Sequence, residues 1–308
     1  MSGNRHLDEF LKLKFGMFIH YNMATYLDCQ WAEGYSSPER FDPGGVVDTD
    51  AWADAAVEAG MTYGVLTAKH VGGFCLWESE LTRYSVKHPS CPYQEDLVAQ
   101  FVRSFTSRGL KVGLYYCWRN PGFDDQKDKV GKYKVIPPEC DPEKSSFEEQ
   151  IEFQKKQIAE LRHKFPEVFY IWNDALDPRV MSEEKARNFF TDLDPNLVCC
   201  GNWWDWGKKG DSFLDLCITE KKELPQENLS PGETCWVLED GWFWQEKGET
   251  GDPEKIYGRL LAANQRNANF LLNVGPDKSG KIIPSSLKAL QRIGELRKNS
   301  ELTKDGYR

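Results

Sequence analysis

The chain is poor in features that would tie it to a membrane, a nucleic acid or a metal. No apolar run in its 308 residues approaches the roughly 18–20 needed to span a bilayer. A net charge of −9 leaves no basic footprint for nucleic acid or an anionic membrane surface. There are only 5 histidines, with no closely spaced His pair and no Cys-x-x-Cys, so no structural metal site and no cofactor are expected. Gly72-Gly73 and Gly275 with Gly280 lack the Lys-Ser/Thr pattern of a phosphate loop. No repeat, low-complexity segment or composition shift marks a second domain, so residues 1–308 read as a single one. Met1 through His6 lack a signal-peptide apolar core. Nine cysteines are an odd count, and Cys117, Cys199, Cys200 and Cys217 sit in strand-like runs as buried, reduced small hydrophobes. Both features predict a cytoplasmic protein.

Aromatic residues are plentiful: 11 Trp, 12 Tyr and 17 Phe. Flat rings stack on sugars and equally fill cores, so they decide nothing alone. The pattern around them says more. Strand-like runs occur at Phe15–Tyr21, Tyr63–Lys69, Lys111–Cys117, Val168–Asp174, Leu197–Asn202, Leu214–Glu220, Thr234–Asp240 and Asn269–Val274. Helix-like runs fall between most of them, over 50–59, 94–107, 145–164, 182–193, about 252–267 and 284–298, with little helix between strands five and six. Eight strands alternating with helices predict an α/β fold, a (β/α)8 TIM-type barrel of about ordinary length.

In such a barrel the C-terminal strand ends carry function. Here they present His20, His70, Tyr115, Asp174, Asn202, Glu220 and Asp240. Asp174 ends the uncharged run Val168–Trp172, and a carboxylate in that setting needs partners or a chemical task. Glu220 ends a second apolar run, and Glu223, Glu239 and Asp240 are its rivals. Two carboxylates on strand tips suit glycoside hydrolysis, one donating a proton and the other attacking or activating water. Neither His20 nor His70 has a second ligand at metal spacing.

At these tips the sequence resembles the α-L-fucosidases of glycoside hydrolase family 29. The matching segments are Lys14 to His20, Leu66 to His70 with Gly73 to Trp77, Gly109 to Tyr116, Trp172-Asn173-Asp174, and Asn269 to Pro276. The resemblance implies a retaining hydrolase with Asp174 as nucleophile and Glu220 as acid/base. It further implies that Phe18, His20, His70, Tyr115, Trp172 and Trp236 contact the sugar, with Gln30-Trp31 standing where the family has Glu-Trp. Val71 replaces a second family histidine, and Trp203 or Trp204 an arginine. The barrel is expected without the C-terminal β-sandwich of many members. The expected partner is a carbohydrate, a fucosylated or related glycoside, and neither nucleic acid nor membrane. A specificity-shifted or non-catalytic sugar-binding barrel is the alternative. Trp203 to Trp206 and Trp242-Phe243-Trp244 are read as an aglycone surface or a homo-oligomer contact.

Overall fold

A strand covered on both faces is largely apolar, and the apolar runs of this chain form such strands. The computed structural model describes residues 5–32, 36–119, 146–176, 178, 180–202 and 213–305. Its strands are β1 (Phe15–Ile19), β2 (Tyr63–Lys69), β3 (Lys111–Cys117), β4 (Val168–Asp174), β5 (Val198–Asn202), β6 (Cys217–Glu220), β7 (Gly232–Val237) and β8 (Ala268–Val274). They pair in parallel in the order β5-β4-β3-β2-β1-β8-β7-β6, a ring that is nearly closed. The helices are α1 (Arg5–Leu11), α2 (Met23–Tyr26), α3 (Thr49–Glu58), α4 (Leu97–Ser107), α5 (Phe147–Lys164), α6 (Glu183–Leu193), α7 (Pro253–Gln265) and α8 (Pro284–Asp305). The fold is therefore the expected (β/α)8 barrel. Among the described residues no helix follows β5 or β6, and no helix is long and apolar enough to cross a membrane.

Polar side chains set the helix starts. Asp48, Asp96, Ser146, Ser182 and Asp252 each accept a backbone N–H of the first turn, satisfying donors that the helix itself cannot. With Asp48 as its cap, α3 opens at Thr49, one residue before the expected start at 50. Ser146 and Glu149 complete a reciprocal capping box on α5.

The join between β5 and β6 departs from expectation. The sixth strand was predicted to begin at Leu214, yet β6 starts at Cys217, because Leu214 adopts φ 66 and breaks the extended run. Asp215 turns back on β5 instead. Its backbone N–H donates to the Cys199 carbonyl at 3.0 Å and its carboxylate accepts the Cys199 N–H at 2.9 Å. Likewise β7 ends at Val237, leaving Glu239 and Asp240 in the following loop.

Two-residue alternation divides the core. One layer lies between strands and helices; the other fills the lumen with Phe18, Tyr63, Val65, Tyr115, Tyr170, Trp172, Ile218 and Cys235. At the foot, α1, absent from the sequence expectations, inserts Phe10 against Tyr63 and Tyr170 with ring centroids 5.8 and 4.8 Å away. Burying such a ring stabilises by roughly 1.5–3 kcal/mol. Gly16 is required beside it, since a Cβ there would overlap the Tyr63 ring as it crosses the lumen.

Candidate active site

Tyr170, Trp172 and Asp174 alternate onto the inner face of β4, rising from the foot to the mouth. At the mouth the Asp174 carboxylate accepts two hydrogen bonds, from Tyr115 Oη at 2.6 Å and from Asn202 Nδ2 at 3.1 Å. β3 and β5 flank β4, so the ladders themselves deliver both donors. Glu220 ends β6 across the open join, with the Asn202 amide near enough to favour its ionised form. Burial first, then the charge of Asp174, pushes the Glu220 carboxyl up to about 7, against the Asn202 amide and the Lys221 ammonium. Glu220 is crowded by protein on the Asp174 side while remaining exposed to solvent on the other, and that water tempers the push. Directly after each carboxylate stands a non-glycine in the left-handed region: Ala175 at φ 53 and Lys221 at φ 51. Each such residue costs about 1–2 kcal/mol, a strain that surrounding structure sustains where side-chain direction is tightly set.

Aromatic faces line the wall beside Asp174. His70, Tyr115 and Trp172 stack in a row, with centroids 5.5 and 5.4 Å apart and planes within 17° and 20°. Phe18 packs on Tyr115, Trp172 and His20. These rings are themselves buried and form a packed aromatic backing behind the mouth. Burial, and then Asp174, raises the Tyr115 phenol well above its usual range, so it stays a donor to the carboxylate.

His20 and His70 are buried neutral groups. Burial and then His70 hold His20 well below its ordinary value, while burial and then Lys69 push His70 down to about 3. His20 Nδ1 lies 2.6 Å from Asn273 Oδ1, and Asn273 Nδ2 donates to the Trp242 carbonyl at 2.7 Å. His70 Nδ1 is buried and has no hydrogen-bond partner among the described residues. A neutral imidazole with a free ring nitrogen at the mouth can serve a ligand hydroxyl.

The other expected contacts separate. Gln30 spends its amide on the loop after β7: Oε1 accepts from Trp242 N at 2.6 Å and Phe243 N at 3.1 Å, and Nε2 donates to the Phe243 carbonyl at 3.0 Å. Its neighbour Trp31 is 63% exposed. Trp236 is corrected by the structure. It lies on the helix side of β7 beneath Arg259, whose guanidinium carbon is 3.7 Å from the ring centroid, because the inner face belongs to Glu233 and Cys235. Trp242 takes the place at the mouth instead, 5.1 Å from the His20 ring and under the Lys221 ammonium at 5.3 Å. Trp242 and Phe243 were seen in the sequence only as exposed-looking aromatics; Phe243 is in fact buried against His20 and His70. Val71 is half-buried at the rim, and Trp203, Trp204 and Trp206 lie outside the described residues.

The rival carboxylates are engaged elsewhere. Glu223 pairs with Arg266 at 2.8 Å near the start of β8, at the foot. Glu239 is buried, accepts from Ser286 Oγ of α8 and Gly275 N, and burial pushes its carboxyl up to about 7. Asp240 accepts the Glu249 N–H at 3.0 Å. One fully buried carboxylate went unnoticed in the sequence, Glu233, since the strand was expected to open one residue later, at Thr234. Among the described residues no group of three or more His, Cys, Asp or Glu could hold a metal ion.

The model of the family described as Alpha-L-fucosidase matches residues 32–301. The chain is 28% identical over 316 residues to alpha-L-fucosidase 1 of Arabidopsis thaliana, covering 92% of this chain and 58% of that protein. It is 26% identical to a putative alpha-L-fucosidase 1 of Oryza sativa subsp. japonica, over 91% of this chain and 56% of the relative. The chain thus spans somewhat over half the length of these relatives. Among solved structures, the alpha-L-fucosidase isoenzyme 1 of Paenibacillus thiaminolyticus superposes with a TM-score of 0.76 at 24% identity, covering 96% of this chain and 75% of that one. An alpha-L-fucosidase of Lactobacillus casei in complex with alpha-L-fucose product gives 0.78 at 21% identity, over 97% and 99% of the two chains. These likenesses establish a shared barrel, and with the match of the family over most of its length the chain belongs to the alpha-L-fucosidase family.

Proposed function

We propose that the chain is a retaining exo-glycosidase acting on a terminal α-L-fucoside or a related glycoside, with Asp174 as nucleophile and Glu220 as acid/base. The observation that carries this reading is the pairing of two strand-end carboxylates: Asp174, held by Tyr115 and Asn202, and Glu220, whose carboxyl the Asp174 charge helps to raise. Retention calls for a carboxyl separation of roughly 5–5.5 Å, whereas inversion needs room for a water between them.

An Asp174 oxygen attacks the anomeric carbon as the bond to the leaving oxygen breaks, and Glu220 gives that oxygen its proton. A glycosyl ester on Asp174 results. Glu220, now ionised, takes a proton from water, whose oxygen attacks the same carbon and releases Asp174. Tyr115 and Asn202 aim the Asp174 carboxylate, and the raised carboxyl of Glu220 suits it to hold the first proton near neutral pH. The relatives named alpha-L-fucosidases support fucose as the glycone.

Replacing Asp174 by Asn removes the nucleophile but keeps the shape and the Asn202 contact. Turnover of 4-nitrophenyl α-L-fucoside is expected to fall by at least about a thousandfold with the melting temperature nearly unchanged. Hydrolysis at the wild-type rate by the Asn variant would remove Asp174 from the mechanism. Release of the β-anomer first, read by NMR, would contradict retention.

A further inference from the structure

Glu233 has no solvent exposure and takes no direct part in the chemistry proposed above. Its Oε1 accepts from Tyr63 Oη at 2.6 Å, and its Oε2 from Tyr170 Oη at 2.8 Å and Trp172 Nε1 at 3.1 Å. Burial pushes the carboxyl up to about 7 even against those three donors. An apolar residue of similar volume is often the more stable choice at such a position, so the retained carboxyl calls for a purpose.

The topology supplies one. Asp174 rises from β4 and Glu220 from β6, and the short way between those strands crosses β5, which has no ladder to β6 among the described residues. The long way runs through β3, β2, β1, β8 and β7. Glu233 sits on β7, and the β6–β7 ladder that pairs it with Ile218 also pairs Cys235 with Glu220. Its partners Tyr170 and Trp172 sit on β4, with Asp174 two residues beyond Trp172. The carboxyl therefore straps one strand group to the other straight across the lumen. Its Tyr63 bond fastens the same point to β2.

We infer that Glu233 is a positioning residue that holds Trp172 and Tyr170 of β4 at a fixed distance from β7, and so sets the separation of Asp174 from Glu220 and the plane of Trp172 beside Tyr115. This rests on the reading of Asp174 and Glu220 as the reacting pair. Placement at that level is steep in its effect, since misplacement of a reacting group by about 1 Å can lower a rate a hundredfold.

The test compares Glu233→Gln, Glu233→Leu and Tyr63→Phe on 4-nitrophenyl α-L-fucoside. Leu removes the acceptor and is expected to lower kcat about a hundredfold in the folded fraction. Gln keeps an acceptor for Trp172 and restores most of kcat. Tyr63→Phe removes only the β2 leg and leaves kcat near wild type, whatever it costs in stability. Should Glu233→Leu fail to fold, the triple variant with Tyr63→Phe and Tyr170→Phe removes two of the three stranded donors. Crystal structures of wild type and the Leu variant read the Asp174–Glu220 gap directly, and it is expected to widen. Equal kcat for Leu and wild type, or an unchanged gap, overturns the inference. If wild type cleaves no glycoside, the functional reading fails, and the gap alone still decides whether Glu233 sets it.

Discussion

At the scale of single residues, the pair Asp174 and Glu220 differs in setting more than in chemistry. Asp174 is held by two donors on neighbouring strands, whereas Glu220 feels burial and the Asp174 charge with a weaker offset. A proton donor must carry its proton, so kcat/KM should decline above about pH 7 as Glu220 ionises, approaching tenfold per pH unit. A pH–rate profile on an aryl fucoside checks this; a profile flat to pH 9 would exclude Glu220 as the acid. His20 and His70 contribute no opposing limb in this range, because burial keeps both neutral well below it. Asp174 and Glu220 stood out as candidates because each ends an apolar strand, whereas Phe18, Trp172 and Trp236 came from the family resemblance. Trp236 misled. It matched by similarity, but parity with Glu233 and Cys235 turns it outward. Glu233 was hidden because an internal carboxylate leaves no periodic signature, and its three donors come from strands far apart in sequence.

Among the elements, strands were easier to read than the loops that finish the site. All eight strands overlap the apolar runs that predicted them, since burial on both faces leaves few charges in their interiors. The exceptions are local: φ 66 at Leu214 shortens β6, and α1 has too few residues for a clear helical period. The loop after β7 was illegible because Gln30, some 210 positions away, holds it. That amide makes three hydrogen bonds to the backbone of Trp242 and Phe243. Trp242 and Phe243 in turn pack on His20. Gln30→Ala should therefore raise KM roughly tenfold, equivalent to about 1.4 kcal/mol, through a loosened wall rather than a lost sugar contact. Unchanged KM, with the loop still ordered in a crystal structure, would show that the wall stands without the strap.

For the whole molecule, buried titratable groups of opposite kind shape stability against pH. Glu233 and Glu239 keep protons up to about 7, whereas in an unfolded chain they would release them near their ordinary 4.5. The folded state then binds more protons between those values, so stability falls as pH rises through that window, by up to about 1.4 kcal/mol per pH unit and group. His70, pushed down to about 3, and His20, also lowered, work the other way below their ordinary 6.5. There the unfolded chain takes up protons that the folded chain refuses, so stability falls as pH drops. The two slopes oppose each other from about pH 4.5 to 6.5, and only the histidines act below that range. Thermal melts should show a plateau across the middle, a steep loss below about pH 4.5 and a smaller loss approaching pH 7. A melting temperature rising steadily from pH 5 to pH 8 would contradict this balance.

The plug at the foot of the barrel governs traffic. Phe10 packs at one end beneath Tyr63 and Tyr170, and packed rings fill the lumen above it. A ligand that reaches Asp174 therefore enters and leaves by one doorway, the mouth of the barrel.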